Sequence, residues 1–178
     1  MEPDPADSGR RARRSSRPWP IRFISATTGI FVLSESLSIA ARHAFDVHHG
    51  VWLVRPFLFI LHDQNSDGLL GLGSTPSRIA IGVLAGGMVL LASRILLGFA
   101  PGDRRWLEIA SGVFVGAALA NAFEVITYAS VTDLVVIRFQ RTGGDFVRAF
   151  NLADICLGVG GLGSLIAYAA ALRRRGGG

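Results

Sequence analysis

The sequence predicts an all-α membrane protein: four transmembrane helices and a small extracytoplasmic β-like segment, a cradle or lid. Three observations carry this. Half of the 178 residues are hydrophobic and the mean hydropathy is +0.43, too apolar for a soluble domain of this size. The apolar residues fall in blocks, four of them of membrane length. Most of the arginines cluster at the ends of those blocks, the placement expected of orienting charges.

Residues 1–20, rich in Pro, Ser and Arg, read as a disordered cytoplasmic tail. The first span is expected at 21–41. A cleaved or twin-arginine signal has the same basic-then-apolar order, but three further membrane-length segments favour a retained helix. Residues 42–77 are mixed and extracytoplasmic. Within them Phe57–Leu61 fits a short strand or an interface-hugging segment, and His62–Ser74 reads as a Gly-rich turn region. The second span is expected at 78–99, where Gly82, Gly86 and Gly87 offer a thin face for close packing. After a short turn the third span runs over 106–128. An extracytoplasmic segment, 129–151, leads to the fourth span at 152–172 and a cytoplasmic tail, 173–178.

The arginines set the orientation. Six in the N-terminal tail and first turn, three around the turn between spans two and three, and three at the C-terminus make twelve on one side. Arg42, Arg55, Arg78, Arg138, Arg141 and Arg148 make six on the other. The excess belongs inside, so both termini are expected in the cytoplasm. All 18 basic residues are arginine, a uniformity that points to codon usage. The sequence pI near 10.9 does not argue for nucleic acid, because no basic patch is interleaved with exposed aromatics. The lone cysteine, Cys156, lies in the last apolar run; no intrachain disulfide or cysteine metal site is possible.

Depth along the helices, at about 1.5 Å per residue, then places the polar residues. Glu35 is thirteen positions past Arg22, roughly 20 Å from the inner face. Asn121 is sixteen past Arg105, and Asp154 nineteen before Arg173, roughly 24 and 28 Å out. Glu124 is one turn beyond Asn121, and Asp133 lies just past the end of span three. All gather toward the outer third of a hydrocarbon core about 30 Å thick.

Ionisable groups at that depth mark function. Two carboxylates held close share one proton; the ionised one takes a proton from water while the protonated one polarises a peptide carbonyl. Each residue also has a plainer reading. Asn151-x-x-Asp154 has the spacing of a helix N-cap with an acid in the first turn. Asp133 fits a solvated loop. Asn121 and Glu124 share a helix face and fit interhelical glue. Asp63-Gln64-Asn65-Ser66-Asp67-Gly68 matches the first half of a calcium loop, but Ser74 stands where the closing glutamate belongs. His43, His48, His49 and His62 lack metal-site spacing and read as juxtamembrane surface residues.

Taken together these segments resemble lipoprotein signal peptidase, the signal peptidase II family, from about residue 21 to 172. Phe150-Asn151-Leu152-Ala153-Asp154 is similar to that family's F-N-x-A-D, and Val131-Thr132-Asp133-Leu134 to its V-V-D-F. The resemblance implies that Asp133 and Asp154 are the catalytic pair and that Asn151 supports them. Ala120-Asn121-Ala122-Phe123-Glu124-Val125 stands where the family has G-N-x-x-D-R, with Glu124 for the aspartate and Val125 for the arginine. Glu35-Ser36-Leu37-Ser38-Ile39 is similar to D-Q-x-[ST]-K, with Ile39 for the lysine. Asn65-Ser66-Asp67-Gly68 resembles the cradle motif N-x-G with one residue too many. By this resemblance Asn121, Glu124, Glu35 and Asn65 support substrate or dyad, and the lost lysine and arginine would have helped to hold carboxylates.

The expectation is an intramembrane aspartyl endopeptidase of the bacterial inner membrane, acting as a monomer without metal or cofactor. Its partners would be membrane lipids and diacylglyceryl-modified prolipoproteins, cut just before the lipidated cysteine. Two alternatives stand beside it. One is a related protein that binds lipidated precursors without cutting them. The other is a small proton-coupled transporter, with Glu35, Glu124 and Asp154 as a proton relay, which would need such residues to continue through the inner half of the helices; they do not.

Overall fold

The computed structural model describes residues 19–65, 75–99, 104–141 and 144–176. The basic tail before Trp19, Ser66–Gly68 of the calcium-like loop and the last two glycines lie outside them. Four helices and four strands follow one another: α1 (Ile21–Ala44), β1 (Gly50–Val54), β2 (Leu58–Asn65), α2 (Thr75–Phe99), α3 (Arg105–Tyr128), β3 (Val131–Arg141), β4 (Gly144–Phe150) and α4 (Leu152–Gly176). Each helix coincides with one of the apolar runs. Three are long and apolar enough to cross a membrane, α1, α3 and α4 up to Arg174; in α2 the apolar stretch so described is Gly86–Gly98.

Helix α3 is the hub, packed against α1, α2 and α4. Small residues make this possible, since close backbone approach replaces hydrophobic driving force between membrane helices. A Cβ at Gly112 would stand 2.6 Å from the Phe23 carbonyl oxygen, and one at Gly116 2.4 Å from that of Thr27, both on α1. On α4, a Cβ at Gly160 would meet the Phe114 nitrogen of α3 at 2.6 Å. Hydroxyls knit the same seams: Thr27 Oγ1 donates to the Gly112 carbonyl (3.2 Å), and the Ser111 and Ser164 hydroxyls meet at 3.3 Å. At its two described glycines the thin face expected on α2 is not used in this way. A Cβ at Gly86 or Gly87 would touch nothing within 4 Å, and the surroundings of Gly82 lie outside the described residues.

Polarity is arranged for lipid. Leu84, Met88 and Leu91 of α2 and Val159, Leu162 and Leu165 of α4 face outward, whereas Ser111, Ser164, Glu35 and Glu124 are buried. A bundle in water would have the reverse. At one end Glu108 meets Arg22 (3.6 Å) and Arg104 (3.5 Å), and Trp19 stacks on Phe23.

The sheet closes the other end, because α1 and α3 run into strands there and β4 runs into α4. It is antiparallel in the order β1-β2-β3-β4. Gly50 allows the β1–β2 crossing, since a Cβ there would lie 1.9 Å from the Ile60 carbonyl oxygen. The β2–β3 register shifts between Ile60 and Asp63, a bulge that bends the strand and re-aims its side chains. This sheet is larger than expected. β3 and β4 pair antiparallel within the segment expected as a connection, and His62–Asn65, expected within a turn, are the last four residues of β2. Cross-strand partners override their turn-like composition: Asp63 lies opposite Asp133, Gln64 opposite Thr132 and Asn65 opposite Val131.

Candidate functional site

The polar residues of the sequence converge where the bundle meets the sheet, in two linked sets. The first surrounds Asp154. Phe150 ends β4, Asn151 is the N-cap of α4, and Asp154 is its third residue. Asn151 Oδ1 accepts from the Asp154 backbone N–H at 2.7 Å, and Asp154 Oδ2 accepts from the Asn151 N–H at 3.3 Å. This is a reciprocal capping box with aspartate in the usual glutamate place. The other carboxylate oxygen, Oδ1, accepts from Asn121 Nδ2 at 3.0 Å. Asn121 Oδ1 in turn accepts from Asn151 Nδ2 at 3.0 Å. The cap that starts the helix therefore also fixes the direction of the carboxylate.

The second set surrounds Asp133. The left-handed turn at Ala129 (φ 55°), whose N–H caps α3 on the Val125 carbonyl, sends the chain from α3 into β3. Asp133 is 2% exposed, not a solvated loop residue. Its Oδ2 accepts from Asn65 Nδ2 at 3.2 Å. Burial is the largest influence on its carboxyl; the Asn65 bond works against it, and the charges of Asp154, Asp63 and Glu124 add to it. The net result is a carboxyl pushed up to about 6.

Glu124 sits behind Asp133, 2% exposed. Its Oε2 accepts the Thr132 backbone N–H at 2.7 Å, and its Oε1 meets Arg42 Nη2. Arg42 also donates through Nε and Nη2 to Thr132 Oγ1, at 2.9 and 2.6 Å, and its guanidinium carbon lies 3.7 Å from the Tyr128 ring centroid. Sequence reasoning used Arg42 only as an orienting charge and missed this role. A signal existed: Glu35, Ser38 and Arg42 follow the i, i+3, i+7 spacing of one helix face. Carboxylate holding, assigned by resemblance to the missing basic residues at Ile39 and Val125, is performed for Glu124 by Arg42. Glu35 lies on the same face of α1, lining the gap between α1, α3 and α4 with Ser38, Asn121 and Asn151. Among the described residues its Oε1 has no hydrogen-bond partner.

In front of Asp133 an open cleft of about 410 Å³ is lined by Asp63, Gln64, Asn65, Val147, Arg148 and Ala149. Asp63 pairs with His48 Nδ1 at 2.9 Å, so this end of the calcium-like motif is strand, with an imidazole for a partner. His62 is not a surface residue: it is 4% exposed and its Nδ1 lies 3.1 Å from the Phe45 carbonyl oxygen. No group of three or more His, Cys, Asp or Glu residues arranged to hold a metal occurs among the described residues.

Two carboxylates on different elements, each accepting from a side-chain amide, thus stand where the apolar bundle meets the sheet. Residues 28–170 match the family described as signal peptidase (SPase) II. The chain belongs to the signal peptidase II family. It is similar to the lipoprotein signal peptidase of Nitrobacter hamburgensis (strain DSM 10229 / NCIMB 13809 / X14), with 27% identity over 143 residues, 77% of this chain and 85% of the relative. It is 30% identical over 112 residues to that of Methylobacterium sp. (strain 4-46), covering 62% and 66%. Two solved bacterial membrane enzyme structures, at 2.3 and 1.9 Å, share the fold with TM-scores of 0.66 and 0.68. Each is 16% identical and covers 82% of this chain, over 85% and 90% of its own. Signal peptidase II enzymes are proteases of bacterial membranes, and the apolar helices and polar end of this chain fit that setting.

Proposed function

We propose that this member of the family removes signal peptides from diacylglyceryl-modified prolipoproteins, with Asp133 and Asp154 as an aspartyl dyad. The observation that carries the reading is the separate bracing of two carboxylates that influence each other electrostatically: Asp154 by Asn121 and Asn151, Asp133 by Asn65. Asp133, whose carboxyl burial pushes up, keeps the shared proton and donates it toward the scissile carbonyl oxygen. Asp154, whose two oxygens accept from the Asn121 amide and the Asn151 backbone N–H, takes a proton from the attacking water. The C–O bond forms, the C–N bond breaks, and a proton passes to the leaving amine on the side of the lipidated cysteine. No metal or covalent intermediate is required.

In this reading all four helices cross the inner membrane, both termini are cytoplasmic, and the protein acts as a monomer. The sheet forms a cradle at the outer face, its cleft takes the extended peptide, and the acyl chains of the substrate stay in lipid beside the bundle. A precursor-binding protein without peptidase activity was motivated by the missing basic residues at positions 39 and 125. The Arg42–Glu124 pair speaks against that motive for one of the carboxylates, since it supplies Glu124 with a basic partner. Cleavage of a lipidated precursor by purified wild type, Asp133→Asn and Asp154→Asn tests the reading. Each variant is expected to fold and to lose at least roughly 10³-fold in rate; full activity in either ends it.

A further inference from the structure

We propose that Arg42 is a positioning residue for Asp133: by clamping Thr132 and Glu124 it fixes the entry of β3 and so the direction in which Asp133 points. The inference rests on the reading of Asp133 and Asp154 as the reacting pair.

The geometry is that of a closed three-body clamp. Arg42 donates to Thr132 Oγ1 through both Nε and Nη2, and Nη2 also meets Glu124 Oε1. Glu124 Oε2 closes the ring on the Thr132 backbone N–H. The Tyr128 ring under the guanidinium holds it in plane. Thr132 is 1% exposed, so its side chain has no alternative partner in water. Successive side chains on a strand point to opposite faces. Anchoring Thr132 toward α1 and α3 therefore turns Asp133 the other way, toward Asn65 and the cleft that it lines. Lysine at position 42 would supply the charge for Glu124 but not the fork that spans two acceptors.

The clamp also has an electrical side. The groups bearing on Asp133 are Asn65 and Asp63 on β2, Asp154 on α4 and Glu124 on α3, with Arg148 of β4 across the cleft and Arg42 of α1 bound to the preceding residue. Asp63 is paired with His48 Nδ1. Only Glu124 has Arg42 as its direct counter-charge.

The test uses the full-length protein in detergent and a lipidated precursor peptide, with kcat, KM and the pH dependence of kcat/KM measured for each variant. Arg42→Gln is expected to lower kcat by roughly 10- to 100-fold, the cost of a misplaced reacting group, with KM nearly unchanged. Arg42→Lys is expected to recover part of that loss. The alkaline limb of the pH profile should move up in Arg42→Gln, where the Glu124 charge is unmasked, and down in Glu124→Gln, where it is gone. Shifts of roughly half a unit to one unit are expected, below those of a charge in direct contact. A wild-type rate and profile in Arg42→Gln overturns the proposal. So does equal impairment of the Gln and Lys variants with an unmoved limb, which would mean packing alone. Should Arg42→Gln fail to fold, Arg42→Lys and Glu124→Gln decide by the same limb. Asp133→Asn run alongside separates the two ideas: turnover in that variant defeats the dyad itself, whereas a dead Asp133→Asn with a normal Arg42→Gln defeats only the clamp.

Discussion

Replacing Asn121 by alanine tests how the Asp154 half of the site is built. The side chain makes two bonds, donating to Asp154 Oδ1 and accepting from Asn151 Nδ2, each at 3.0 Å. Asn151 is 4% exposed, so its amide would stay buried with one donor unpaired, at a cost of about 1–3 kcal/mol. The bond to the carboxylate is worth about 1.5–3 kcal/mol more, reduced because Asp154 is only half-buried and can take water. The two do not simply add, since they share one side chain; a net destabilisation of about 2–4 kcal/mol follows. Helix α4 should survive, because the Asn151–Asp154 capping box does not pass through Asn121. Turnover should fall more than stability explains, by roughly 10- to 100-fold in kcat, since Asp154 loses the donor that fixes Oδ1. Thermal unfolding and precursor cleavage, measured in the same detergent, check both. Asn121→Ala with wild-type unfolding and wild-type kcat would refute the view that this amide orients the carboxylate.

Other perturbations have equally definite outcomes. Gly116→Ala should destabilise by about 1–3 kcal/mol, because its Cβ would stand 2.4 Å from the Thr27 carbonyl oxygen, a backbone atom that cannot swing aside. Gly87→Ala, in open space on α2, should be neutral or stabilising by up to about 1 kcal/mol; thermal unfolding of both distinguishes packed from unpacked glycines. The folded chain holds the Asp133 proton up to about pH 6, whereas the ordinary carboxyl releases it near 3.8. Folding stability from this group is therefore present below the lower value and is lost as pH rises through the window. Asp133→Asn, which has no such proton to lose, should gain stability relative to wild type on going from pH 4 to pH 7, as read by the difference in Tm. For the same reason kcat/KM of the wild type should decline on the alkaline side with an apparent pKa near 6. Asp63→Asn, removing a charge opposite Asp133, should move that limb to lower pH.

Much of the fold was legible because membrane helices announce themselves by length and composition. The helices around 21–41, 106–128 and 152–172 needed no tertiary information. The sheet was harder. Val131–Phe139 carries β-branched and aromatic residues suited to a strand, yet between two apolar spans it read as connection. His62–Asn65 carries residues that favour turns, and only pairing with β3 makes it strand. Gly86 and Gly87 show the converse error. Small residues permit close approach, but which helix comes close is decided by the neighbour, and the hub is α3 through Gly112 and Gly116.

The site was legible residue by residue but not as a connected object. Asp154 was first a helix cap and Asp133 first a loop residue, and spacing alone could not join them. What joins them is α3. Asn121 and Glu124 are three positions apart, so they stand on one face about one turn from each other. Asn121 braces Asp154 directly, and Glu124 braces Asp133 through Thr132. The offset between the two carboxylates is thus set by a single helical turn, and the α1–α3 seam at Gly112 and Gly116 sets where Arg42 meets Glu124. Any change that rotates or slides α3 must disturb both halves of the pair at once, whereas changes at Asn65 or Arg42 disturb only the Asp133 half. An arginine counted only for membrane orientation belongs to that second class. The helix-face spacing with Glu35 and Ser38 places it near the site, but its bond to Thr132 is seen only with the strand in place, because a charge on α1 and a hydroxyl on β3 lie 90 residues apart in the chain.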